Sequence, residues 1–310
     1  MSETRTLKGL FGPRFWGTWL GFLLLRFTSL APFGWQMASG RALGRLALRL
    51  ATSRRRIASR NLRLCFPDLD ADAHARLLHA HFENLGMSVA EMAMAWYRPQ
   101  RFKGRIRLHG AEHLRAIGHG RIIILTAHFG ALEVGGVALA DLGLVFDAVY
   151  REDRNPLANE LIRRGRERAG RDTIEKSNIR GMVRSLRAGV PVWYAPDQSY
   201  RRKQSETIPF FGVPAQTNTA TSALARLAKA TAVMFVPLRR ADGTYDITIS
   251  PPLADFPGDD AVADTVRIVG HIEAAIREAP EQYFWVHRRF KGAATGDGDP
   301  YDALADEDVA

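Results

Sequence analysis

Beyond about residue 104, short apolar runs alternate with amphipathic ones. Residues 121–126, 146–150, 190–195, 233–238 and 245–250 read as strands, and 131–141, 156–169, 179–188, 217–230 and 261–278 as helices. Alternation of this kind predicts an α/β sheet with helices on both faces, in which ligands gather at the carboxyl ends of the strands. Upstream, residues 68–98 carry Leu77, Leu78, His81, Phe82, Leu85, Val89 and Met92 at helical spacing, with Asp68 or Asp70 placed to cap. No internal repeat or low-complexity tract interrupts the pattern. The tail from Ala293 onward is polar and acidic and is expected to be poorly ordered.

Nearer the start lies the most apolar stretch, residues 15–35 (FWGTWLGFLLLRFTSLAPFGW). It has about the ~20 residues that a spanning helix needs, with Phe15, Trp16, Phe33 and Trp35 at its edges, where aromatic rings suit lipid headgroups. Arg26 inside it, and Pro32 and Gly34 near its end, leave only residues 15–25 uninterrupted. A cleaved leader would need a small-residue cleavage site, which does not follow. A tilted span and an in-plane amphipathic anchor remain. The expectation is a span or deep insertion, with the body of the protein on the positively flanked, cytoplasmic side.

Charge sharpens this picture. The 310 residues carry a net +10, which taken alone suggests a nucleic-acid partner. Residues 1–64, however, hold twelve Lys/Arg against Glu3 alone, leaving 31 bases and 32 acids for the rest of the chain. The excess therefore sits beside the apolar stretch, and nucleic acid is not the expected partner. Arg41, Arg45, Arg49 and Arg56, interleaved with Leu43, Leu46, Leu48 and Leu50, form a basic helical stripe. It is either a solvated face or a surface for anionic headgroups. Overall composition, 46% apolar and 25% charged, is that of a globular protein. The single cysteine, Cys65, excludes an internal disulfide and a Cys-based metal cluster. The nine histidines, among them His109, His113 and His119, lack ligand spacing, so no metal is expected. No Gly-rich phosphate loop is present; Gly130, Gly135 and Gly136 are expected to permit close packing at a helix start.

Candidate chemistry follows the first strong strand, in His128-Phe-Gly-Ala-Leu-Glu133. Five residues along a helix turn about 140°, so two in-helix side chains at this spacing would not face each other. With His128 in the turn before the helix, Glu133 can reach back to one imidazole nitrogen, fixing the tautomer and stabilising the imidazolium. This is the base and orienter of a serine hydrolase without the serine, so the nucleophile would be a hydroxyl on the substrate. The spacing is also compatible with a capping histidine and an unrelated surface glutamate.

The HFGALE segment resembles the H-x4-D/E motif of glycerolipid-type acyltransferases. The runs NLRLCFPDL (61–69), HFENLGMSVAEMAMAWY (81–97), GMVRSLRAGVPVWYAPDQSY (181–200) and APEQYFWVHRRFK (279–291) resemble the late acyltransferases of lipid A assembly in Gram-negative bacteria, the lauroyl-transferring members especially. The resemblance extends from residue 13 to residue 291. It implies an α/β fold with a mixed central sheet, helices on both faces and an N-terminal membrane-anchoring helix. In that organisation residues 1–40 are the anchor, 41–292 the acyltransferase domain and 293–310 an acidic tail. It further implies transfer of an acyl chain, lauroyl first, from acyl carrier protein to a hydroxyacyl group of an anionic, Kdo-bearing lipid A precursor. The setting would be the cytoplasmic face of the inner membrane, with membrane lipid as a partner and without metal or cofactor. Another donor chain, another acceptor such as a lysophospholipid, and a non-catalytic membrane scaffold are the alternatives.

By the same resemblance His128 and Glu133 are catalytic. Arg166, within RRGRERAG (163–170), would hold the oxyanion or a phosphate. Asp197 and Gln198, after a buried strand, would point into the crevice of His128. Relatives often place an acidic residue and then a glycine after this pair, where this chain has Ser199, Tyr200, Arg201 and Arg202. Residues 206–212 (ETIPFFG) either wall an acyl pocket or form half-buried core. Tyr283, Phe284, Trp285 and His287-Arg288-Arg289 are expected to support the site structurally.

Overall fold

A computed structural model describes residues 7, 9–118, 120–200, 204–292 and 299–302. His119, Arg201, Arg202 and most of the acidic tail lie outside the described residues. The ten α-helices among them are α1 (Trp16–Thr28), α2 (Phe33–Leu50), α3 (Thr52–Cys65), α4 (Ala71–Tyr97), α5 (Ala111–Ile117), α6 (Leu132–Asp141), α7 (Pro156–Arg166), α8 (Ile179–Arg187), α9 (Ala220–Ala228) and α10 (Ala261–Glu278). The strands are β1 (Ile106–His109), β2 (Ile122–Leu125), β3 (Asp147–Tyr150), β4 (Asp172–Glu175), β5 (Val192–Tyr194), β6 (Ser205–Phe210), β7 (Val213–Asn218), β8 (Thr231–Arg239) and β9 (Tyr245–Ile249).

Seven strands form one mixed sheet in the order β1-β9-β8-β2-β5-β3-β4. Strands β8, β2, β5, β3 and β4 run parallel, β9 runs against β8, and β1 follows β9. The expected α/β architecture is therefore present. Central strand β2 shows why it forms: its four residues are all fully buried, as a strand covered on both faces requires. Ile123 and Leu125 enter a core shared with α3, α8, α9 and α10, while Ile122 and Ile124 pack with α5 and α6 on the opposite face. Each such side chain removed from water is worth about 1.5–3 kcal/mol.

Helix α4 begins where the sequence places a cap, with Asp70 Oδ1 accepting the Ala73 N–H at 2.7 Å. It packs unusually close to α2, because a Cβ on Gly44 would lie 2.1 Å from the Phe82 carbonyl oxygen and one on Gly86 2.0 Å from that of Gly40. Only glycine permits this backbone approach.

The apolar stretch 15–35 does not form a spanning helix. It divides at residues 29–32 into α1 and the start of α2, and no helix among the described residues is long and apolar enough to cross a membrane. The 13 residues of α1 reach about 20 Å, short of the ~30 Å hydrocarbon core. None of its residues is buried, and Trp16, Leu20, Leu23, Leu24 and Phe27 stand exposed, followed by Leu30 and Trp35.

The acidic tail is partly tied down. Tyr301 is buried, its hydroxyl accepts the Phe290 N–H at 3.1 Å, and it also donates to Asn61 Oδ1. The region 206–212 is neither helix nor loop but the first strand and turn of a β6–β7 hairpin. Phe211 and Gly212 at its tip take positive φ of 51° and 76°, as a tight hairpin turn demands. Phe210 is fully buried among Tyr283, Trp285 and Phe290, so this aromatic belongs to the core.

Candidate active site

Strands β2 and β5 are neighbours, and the chain leaving each reaches the same rim of the sheet. That adjacency brings His128 and Asp197 together, 69 positions apart in sequence. Asp197 Oδ1 lies 2.7 Å from His128 Nδ1, and Oδ2 accepts the His128 backbone N–H at 3.1 Å. The aspartate side chain is 1% exposed and that of the histidine 33%, so one ring edge remains open to an incoming molecule. Burial alone would raise the Asp197 carboxyl, but the charge of His128 and its hydrogen bonds outweigh burial and hold the acid below its ordinary value. In the neutral ring, an ionised carboxylate at Nδ1 puts the proton on that nitrogen and leaves the Nε2 lone pair free.

Glu133 does not fulfil the expected role of ring partner. It stands in the first turn of α6, and its hydrogen bonds go elsewhere. Arg166 Nε donates to its Oε1 at 2.9 Å, with Nη2 at the same distance, and Trp96 Nε1 donates to Oε2 at 2.8 Å. The orienting carboxylate of His128 is thus Asp197, supplied by a different strand, whereas Glu133 holds a guanidinium. Local packing sets this second pair. Gly165, just before Arg166, lies flat on the Trp96 indole, where a Cβ would meet ring carbons at 2.3 Å. Phe22 of α1 stacks on the other part of this cluster, 6.3 Å from the Trp96 ring. Asn155, the cap of α7, donates to Thr18 Oγ1 at 2.8 Å, so α1 rests directly on the element that carries Arg166. Gln198 is half-buried and takes no part in the His128–Asp197 contacts.

The turn carrying His128 is fixed from behind by residues 280–290, as expected of a supporting segment. Phe129 pairs with Tyr283 in an isolated β-bridge, and the Gly130 N–H donates to the Gln282 carbonyl at 2.8 Å. Gly130 also passes so near α4 that a Cβ would fall 2.6 Å from the Asn84 side chain, and one on Gly135 would fall 2.8 Å from Phe235. These glycines thus serve close packing. On the Asp197 side, His287 Nε2 accepts the Ser199 N–H at 3.2 Å; burial pushes this histidine down to about 4, which keeps it a neutral acceptor. Buried Arg289 donates to Gln216 O and Thr217 Oγ1 and lies over the Phe210 ring. Asn61 Nδ2 donates to the carbonyls of Trp285 and His287 at 2.6 and 2.8 Å. Phe284 alone of these aromatics stays partly exposed, its ring 6.4 Å from that of His128.

Cys65 is buried, and burial raises its thiol far above the reactive range, so it is no nucleophile. Among the described residues no Ser, Thr or Cys side chain hydrogen-bonds to His128. A base with an orienting carboxylate, but without a paired nucleophile, can deprotonate a hydroxyl that comes with the substrate.

Comparison with known proteins agrees with this chemistry. A family model described as bacterial lipid A biosynthesis acyltransferase matches residues 4–292. The chain is 37% identical over 294 residues to the lipid A biosynthesis lauroyltransferase of Escherichia coli K12, covering 93% of this chain and 95% of that protein. It is 36% identical over 296 residues to the palmitoleoyltransferase of the same organism, with the same coverage. To the myristoyltransferase of that organism it is 29% identical over 296 residues, covering 93% and 91%.

Proposed function

Since the chain belongs to the bacterial lipid A biosynthesis acyltransferases, we propose that it transfers a lauroyl chain from acyl carrier protein to a hydroxyacyl group of a Kdo-bearing, tetra-acylated lipid A precursor. The observation that carries the mechanism is the Asp197–His128 contact, which leaves Nε2 as the free base at the carboxyl rim of the sheet.

In the reaction, Nε2 takes the proton of the lipid hydroxyl as its oxygen attacks the thioester carbonyl. Asp197 holds the ring and balances the imidazolium charge. Arg166, aimed by Glu133 and Trp96, keeps donors free for the oxyanion or for a phosphate of the acceptor. Collapse of the tetrahedral intermediate expels the carrier thiolate, which recovers the proton from His128. Donor and acceptor are bound together, and no acyl-enzyme forms. Identity to the lauroyl-transferring relative supports the choice of chain.

The exposed apolar faces of α1 and of the turn into α2 support a seat in the lipid interface of the inner membrane, on its cytoplasmic side, since no helix among the described residues is long and apolar enough to cross a membrane. Exposed Arg41 and Arg49 of α2 lie along the same polypeptide and suit anionic headgroups. Mass spectrometry of lipid A from cells lacking the gene tests the assignment. Loss of one secondary lauroyl chain is expected; a palmitoleoyl or myristoyl loss would reassign the donor, and unchanged lipid A would refute the proposal.

A further inference from the structure

Helix α8 carries the charge pattern of a docking surface. Its nine residues include Arg180, Arg184 and Arg187 and no acidic residue. Their i, i+4, i+7 spacing puts the three on one stripe, and all are exposed. This is not inherited from composition, because beyond residue 64 bases and acids nearly balance. Helices α7 and α10 treat their arginines differently. Arg163 and Arg164 of α7 both pair with Glu160, and Arg277 of α10 pairs with Glu273. Arg187 donates to the Leu227 carbonyl of α9 at 2.9 Å, whereas Arg180 and Arg184 meet no acidic partner among the described residues.

Beside the stripe runs an apolar groove. Ile179, Val183 and Leu227 line it together with the three arginines, enclosing about 430 Å³. Ile179 is 39% and Leu227 55% exposed, large apolar side chains left in water next to unpaired cations. Such a surface fits one amphipathic helix that offers carboxylates to the stripe and apolar side chains to the groove. Its place in the fold suits delivery to the site. Helix α8 starts just past the end of β4, at the sheet rim where His128 and Asp197 stand, and packs on α9 and β5. The bilayer-facing helix α1 packs instead on α4 and α7, which leaves α8 and α9 to a partner arriving from water.

We propose that the α8–α9 groove docks an acidic amphipathic helix of the acyl carrier protein that presents the donor thioester. The proposal rests on the donor assigned above. The arginines would steer the acidic carrier and hold it in register, so their effect belongs to donor binding, not to the chemical step.

The test uses the full-length enzyme and the exposed double variant R180E/R184E, assayed with lauroyl-carrier protein and, separately, with lauroyl-coenzyme A, which lacks the protein surface. For the carrier donor the expected result is a KM raised about tenfold, a nearly unchanged kcat and a shallower salt dependence. The coenzyme A donor is expected to show unchanged constants. Equal losses with both donors, or an unaltered KM for the carrier donor, would overturn the docking site. If the unsubstituted enzyme used only the coenzyme A donor, the donor reading itself would fail, and the groove's occupant with it.

Discussion

Asp197 grips His128 twice, through the ring at Nδ1 and through the backbone N–H. One buried carboxylate therefore sets both the tautomer of the base and the position of the turn that carries it. Asp197→Asn keeps the size but removes the charge and allows the wrong tautomer. Its kcat is expected to fall by roughly 10²–10⁴-fold with little change in KM, measured as acyl transfer to detergent-dispersed acceptor.

Glu133 and Arg166 act as a unit with Trp96. A double-mutant cycle of Glu133→Gln and Arg166→Lys is expected to show coupling of about 0.5–3 kcal/mol in transition-state free energy. A second cycle separates the two carboxylates: Asp197→Asn should couple strongly to His128→Ala in kcat, and Glu133→Gln weakly. Equal coupling of both variants to His128→Ala would return Glu133 to the role of ring partner.

Two buried histidines make the fold acid-sensitive. Burial pushes His81 and His287 down to about 4 from an ordinary value near 6.5. The unfolded chain therefore binds protons that the folded one refuses, so stability is full above pH ~6.5 and declines as pH falls toward about 4. Chemical denaturation at pH 7.5 and 5 should show the loss. His81→Gln, which cannot titrate, should show a smaller difference between the two pH values whatever its absolute stability.

The exposed face of α1 is expected to hold the protein on lipid. Replacing Trp16, Leu20 and Phe27 by Glu removes three exposed apolar side chains that no core residue needs. Sedimentation with anionic vesicles should drop at least about tenfold, since each large side chain buried in lipid is worth up to ~1.5–3 kcal/mol. Transfer to detergent-dispersed acceptor should persist. Undiminished vesicle binding would move the membrane contact elsewhere.

The sequence made five strands of the main sheet legible because each is a dense apolar run or, in β9, a clean apolar–polar alternation between turn signals. It hid β1 and β4, four-residue edge strands whose burial is partial or alternating and whose identity depends on their neighbours. The hairpin β6–β7 was obscured by Pro209 and Pro214, which face each other across the pair. At the site, strand ends taken together with the family resemblance pointed to the turn position of His128 and to the crevice it shares with Asp197. Which carboxylate meets the ring did not follow, because it depends on β5 lying beside β2, a long-range fact that no local spacing encodes. Trp96 lies in the 81–97 run that carries the resemblance, but nothing in the sequence ties it to Glu133. The apolar stretch 15–35 was long enough to span, and Pro32 with its neighbours decided otherwise by starting a new helix at Phe33.

The most direct measurement is acyl transfer by purified protein, followed by mass spectrometry of a Kdo-bearing tetra-acyl acceptor incubated with lauroyl-carrier protein. The unsubstituted enzyme is expected to add one lauroyl mass, and His128→Ala to add none above background. Undiminished transfer by His128→Ala would contradict the account at its centre.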